Sequence, residues 1–337
     1  MPFHLTINLR KALLWSLALV VVNVSFIQAA NAQLSYTKGQ HIEPAYEGWK
    51  ENQDGTFSFI FGYFNENWEE EPDISVGENN FFTPGDADRG QPTHFLPRRN
   101  RFTFEVVVPS DWGDRELVWT LTSPNGVSKK AYATMAVDYT VDNMVIASET
   151  GSLGAGTSSP ESRANIPPLA SIIGDDRRTV RVGEPLVVRT QVTDDGLPKP
   201  RNFGSQARRQ AELDAAAAGD EESDEPALTA EERARMRMLR KPTQVTVGKT
   251  NGLILSWSVY RGDNPVSFDP PQVKPWEDTR TSANSPWGAL WTPPSIPEEG
   301  IYEVNMIFDE PGEYIMWGRA DDGGLYHDTF LTVTVTR

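Results

Sequence analysis

Bulky side chains recur at every second position along this chain, in short runs separated by turn-forming residues. In "GTFSFIFGYFN" Phe57, Phe59, Phe61 and Tyr63 fall on one face; in "RFTFEVVV" Phe102, Phe104, Val106 and Val108 do; in "LVWTL" Leu117, Trp119 and Leu121 do. Successive side chains of a strand point to opposite faces, so this period predicts half-buried β-strands rather than helices. The pattern returns later with Leu186, Val188, Thr190 and Val192, with Leu253, Leu255, Trp257 and Val259, and with Leu331, Val333 and Val335. Turn signals such as Asp54-Gly55 and Asn125-Gly126 punctuate the runs. Many short strands between such turns predict sheets packed face to face. Near the end, "DEPGEYIMWGRADDGG" turns at Pro311-Gly312 into a strand that aims Tyr314 and Met316 at a core. Trp317 then falls on the opposite face, where a sandwich normally meets water.

The first 32 residues predict an export signal: Arg10 and Lys11, an apolar run from Ala12 to Ile27, and Ala30 and Ala32 spaced for cleavage before Gln33. Residues 148–168 are rich in Gly, Ser and Pro and read as a flexible linker. The expected fold is therefore mainly β, two Ig-like β-sandwich domains in tandem over 33–147 and 169–337. The second carries two insertions. Residues 197–250 predict a charged helical insertion, with a capping box from Thr229 to Glu232 and an i, i+4 pair, Glu231 and Arg235. Its basic cluster, Arg233 to Lys241, suits either an anion or plain solvent. Residues 270–300 form a Pro-rich loop with Trp276, Trp287 and Trp291.

The export signal carries two basic and no acidic residues. The mature chain then has 29 basic against 47 acidic residues, a formal charge of −18. Such a field disfavours nucleic acid and anionic membranes. Zero cysteines exclude disulfides, thiolate metal sites and cysteine nucleophiles. With no second long apolar run, no transmembrane anchor is expected after cleavage, and the chain reads as periplasmic or secreted.

Two stretches carry a resemblance. "DGTFSFIFGYFN", "ISVGENNFFTPGDADRGQPTHFLPRRNRFTFEV" and "LVWTL", within about residues 46–136, resemble a small all-β module that recurs in bacterial secreted and surface proteins. That resemblance implies no established activity. The module's usual YxNPN tract is replaced here by Phe64-Asn65-Glu66-Asn67. "VRVGEPLVVRTQVTDDG", "LILSWSVY" and "PGEYIMWGRADDG", within about residues 165–337, resemble PKD-like, Ig-type sandwich domains, which implies a scaffold and no chemistry.

Catalytic motifs are missing. His41, His94 and His327 lie in no nucleophile-elbow or metal-ligand spacing, and no phosphate loop or dinucleotide fingerprint occurs. His94 sits beside Asp86, Asp88 and Arg89, a loop expected to be locked by Asp/Arg hydrogen bonds. The expected function is non-catalytic: a binding or scaffolding component of the bacterial envelope or secretome, contacting an envelope protein or a glycan. Glycan stacking would use Trp276, Trp287 or Trp291. A carboxylate-based hydrolase remains the enzymatic alternative, with no pair nominated. No cofactor is implied, though Asp194, Asp195, Asp321 and Asp322 end strands with the hard oxygens calcium prefers, against the plainer reading that they form turns.

Overall fold

The computed structural model describes residues 38–67, 69–150, 159–199, 252–273 and 295–337. The expected export signal, the expected helices of the first insertion and all three tryptophans of the second lie outside the described residues. The described part is two β-sandwiches, and they are docked on one another.

The first sandwich contains β1 (Ile42–Glu51), β2 (Phe57–Asn65), β3 (Asn80–Thr83), β4 (Arg98–Val108), β5 (Leu117–Thr122) and β6 (Ser128–Ala133). They form two three-stranded sheets, β1-β2-β4 and β3-β5-β6. Phe59, Phe61, Phe82, Phe104 and Trp119 fill the space between them. Phe61 stacks on Phe104 and Phe82 on Trp119, with interplanar angles of 18° and 11°. The Trp119 indole N–H donates to Asn80 Oδ1 at 2.9 Å, and the Asn80 amide donates to the carbonyls of Ile74 and Pro92. A buried amide satisfied on both ends fixes the long loop over the core.

β2 departs from the half-buried expectation. Besides Phe59 and Phe61 on the inner face, Ile60 on the outer face is also buried. The cause is a cover that the strand's own sequence does not announce. Ile60 packs with Phe102 and Val141, beside Val145 and Ile146 of helix α1 (Asn143–Thr150) and Tyr326 of the second sandwich.

The second sandwich contains β7 (Leu169–Ile172), β8 (Arg177–Arg181), β9 (Leu186–Thr193), β10 (Ile254–Arg261), β11 (Val266–Asp269), β12 (Ile301–Phe308), β13 (Gly312–Asp321) and β14 (Tyr326–Thr336). The sheets run β10-β13-β14-β8 and β11-β12-β9-β7, antiparallel except that β8 lies parallel to β14. Trp257 is 3% exposed in the core with Val188, Met306, Phe308, Met316 and Leu331. Its indole lies over Gly318, where a Cβ would come within 2.8 Å of the ring. The hydroxyl of Tyr314, at the start of β13, donates to the Glu310 carbonyl at 3.0 Å. That bond ties the Pro311-Gly312 corner to the strand it feeds, as in the tyrosine corner of immunoglobulin-type sandwiches.

The linking segment contains α2 (Pro160–Ala164), which opens with a Ser159–Ser162 capping box and has Pro160 in its first turn. Asn165 then bonds to Asp322 of the second sandwich, and Pro168 is buried.

Candidate functional site

The outer face of β13 does not meet water. Trp317 is 2% exposed and belongs to the same apolar cluster as the core of the first sandwich, together with Tyr260 of β10. Burying a large apolar side chain stabilises by about 2–3 kcal/mol, so the face is a docking face. Polar contacts ring it. Tyr260 accepts from the backbone N–H groups of Thr93 and His94 at 3.0 and 3.2 Å, and its hydroxyl donates to the Gly90 carbonyl. Arg261 donates to both Asp88 oxygens at 2.7 and 3.0 Å and to the Gln91 carbonyl at 2.8 Å.

The Asp86–His94 loop thus has two sets of bonds. Arg89 does lock it internally, donating to the carbonyls of Asp86 and Pro84. Asp88, however, reaches across to Arg261, and the loop clamps the two sandwiches together. No local signal marks this, because the partner lies far along the chain.

Arg319 is the buried cation of the interface. It is 3% exposed, pairs with Asp328 through two bonds of 2.6 and 2.7 Å, and donates to the Phe102 carbonyl of the first sandwich at 2.8 Å. Its guanidinium lies 3.8 Å from the Tyr326 ring centroid and 4.6 Å from that of Trp317. Burial works against its charge, but the Asp328 carboxylate outweighs that and raises the pKa further. Phe102 adopts a positive φ of 50° in β4, an uncommon conformation for a bulky residue, and its carbonyl is the one Arg319 takes.

Between the sandwiches a cleft of about 580 Å³ opens. Glu71, Asp73, His94 and Leu96 form one wall, Trp257, Val259, Val266 and Phe268 the other, with Trp317 and Arg319 between. β10 is an edge strand of its sheet, and its Trp257 N–H is taken by the Gln272 side chain at 2.9 Å. His94 is held from both sides, Nδ1 at 2.7 Å from Asp73 and Nε2 at 2.9 Å from Glu71. Two carboxylates can be satisfied only if both ring nitrogens carry protons. Burial opposes the charge, yet the hydrogen bonds and charges of Asp73 and Glu71 prevail and raise the pKa to about 9. His94 is a fixed imidazolium at neutral pH and offers no free nitrogen to act as a base.

The four aspartates divide by strand phase. Asp322 follows Ala320 on the inner face, and its carboxylate accepts from the N–H groups of Gly324 and Leu325 and from the Asn165 amide. Burial, then the neighbouring charge of Asp321, pushes its pKa up to about 7. Asp194 follows Val192 on the inner face of β9, and burial raises its pKa. Asp195 points outward and accepts from Ile166 and Leu197, and Asp321 accepts from Gly323. His327, at the other strand end considered from sequence, accepts from the Ala170 N–H at 3.3 Å. Among the described residues, the acid and histidine group whose ligand atoms gather within 4.8 Å is His41, Glu43 and Glu66. There Lys129 already neutralises Glu43 at 2.8 Å, and His41 turns a different nitrogen to each glutamate. That group is an ion network.

No protein-family model matches the chain, and no curated protein does. Solved structures align with it at low identity. Tandem Ig repeats of Dlar align over 88% of this chain and 97% of theirs, at 11% identity and a TM-score of 0.23. Immunoglobulin domains 1–4 of Sidekick-1 align over 89% of this chain and 51% of theirs, at 9% and 0.20, so the chain spans about half that structure. Domains 4 and 5 of the S-layer protein SbsC align over 88% and 98%, at 8% and 0.20. The fold assignment rests on the strand order, the tyrosine corner and the two cores of this chain. Among the described residues no helix is long and apolar enough to cross a membrane.

Proposed function

We propose that this chain is an exported, non-catalytic binding or scaffolding protein of the bacterial envelope or secretome, with the interdomain cleft as its ligand-facing surface. The observation that carries this reading is the state of the cleft's ionisable groups. The one histidine in its wall is doubly committed to Glu71 and Asp73. Those carboxylates are in turn spent on the imidazolium, which speaks against a hydrolase built on them. What remains is a shaped, largely apolar recess between the sandwiches, in which the charges of Glu71 and Asp73 are balanced by His94 and Arg319. That chemistry suits an apolar side chain of a partner protein. The glycan reading rested on Trp276, Trp287 and Trp291, which lie outside the described residues.

Placing a photo-crosslinking amino acid at Ser267, exposed on the cleft wall, in the exported protein in intact cells tests this. A discrete protein adduct is expected from Ser267 and none from Val107, which is exposed outside the cleft. Equal labelling from both positions, or adducts from neither, would remove the cleft from consideration.

A further inference from the structure

The pole of the second sandwich next to the linking segment holds buried oxygens with no hydrogen-bond donor among the described residues. Val192 and Ala320 pack together across the mouth of the sandwich. Asp194 and Asp322 each follow one of them by two residues, just past the ends of β9 and β13. Asn165 closes the mouth: its amide donates to Asp322 Oδ2 at 3.1 Å, while the adjoining Ile166 N–H is held by Asp195 at 3.1 Å. Asn165 is 7% exposed. Its Oδ1 is buried with no hydrogen-bond donor among the described residues, and so is Asp194 Oδ1. Two sealed acceptors beside a buried carboxylate are costly in a fold that satisfies such groups elsewhere.

We propose that this pole is a site for a hard divalent cation, calcium by its donor set, held by Asp194, Asp322 and the Asn165 carbonyl oxygen. All three donors are oxygens, with no nitrogen or sulfur among them, which disfavours zinc and copper. Two carboxylates and a neutral amide leave room for backbone carbonyls and water, as the six to eight ligands of calcium require. The cation would draw the Asp194 and Asp322 loops toward Asn165 and fasten the linking segment to the second sandwich.

The test uses the mature chain, stripped of metal by a chelator, in calorimetric titrations and thermal melts with calcium or magnesium. Calcium should bind one to one with a Kd of about 10⁻⁴–10⁻³ M, as in extracellular modules, and raise Tm, with magnesium weaker. Asp194→Asn and Asp322→Asn should each weaken calcium about tenfold or more, and Glu313→Gln should not. If either carboxylate variant fails to fold, Asn165 decides: Asn165→Ala should lose affinity while Asn165→Asp, which keeps an oxygen ligand, retains it. No heat and no Tm change up to about 10 mM calcium would overturn the proposal. So would Asp194→Asn, Asp322→Asn and Asn165→Ala chains that fold and bind as tightly as the parent.

Discussion

His94 keeps its charge through its neighbours, and that makes its contribution to stability depend on pH in a definite direction. The folded pKa of about 9 lies above the ordinary 6.5. The stabilisation is therefore complete below pH 6.5 and disappears as pH rises through 9. A shift of this size is worth up to about 3 kcal/mol. Chemical denaturation should show the difference in unfolding free energy between the parent and His94→Gln shrinking by that amount from pH 6 to pH 10. A difference that stays constant across the range would mean His94 is neutral. Arg319 presents the harsher case, because it is buried and its partner Asp328 is largely shielded too. Arg319→Met leaves Asp328 without its cation and the Phe102 carbonyl without its donor, at a cost of about 3–5 kcal/mol. Arg319→Lys should recover little, since an ammonium cannot make the paired bonds to Asp328 or lie flat between Trp317 and Tyr326.

At the level of elements, β10 and β13 depend on one small residue. Gly318 sits directly opposite Trp257, and an added methyl would press into the indole. Gly318→Ala should cost about 1–3 kcal/mol by overpacking, measured as a lower denaturation midpoint with an unchanged slope. Loss of near-ultraviolet tryptophan signal should accompany it. The two-residue period marked the strands well, because each sandwich buries one face of each strand by a purely local alternation. Tyr314, Met316 and Trp257 turn inward as their phase requires. The same period misplaced Trp317 and Ile60, whose second faces are covered by an element remote in sequence. Alternation records which residues share a face, and it carries no information on whether a second layer covers that face. The cleft was illegible for the same reason. His94 was visible as a residue, but Glu71 and Asp73 became its partners only through loop geometry, and Arg261 met Asp88 only through docking.

At the level of the whole molecule, the two sandwiches share a buried interface with its own ion pairs, aromatic cluster and strained carbonyl. Such an interface couples their unfolding. Calorimetry of the parent should give one cooperative transition for the two sandwiches, whereas Arg319→Met combined with Arg261→Ala should separate it into two. Two transitions in the parent would mean that the docking contributes little. The pairing at the edge of the second sandwich carries a further consequence. β8 lies parallel to β14, with Arg177–Arg181 alongside Thr332–Thr336. Tension applied between the start of this sandwich and its last strand would load all those rungs together, in shear, rather than peeling them one at a time. Pulling along that axis therefore meets the resistance of the whole ladder at once.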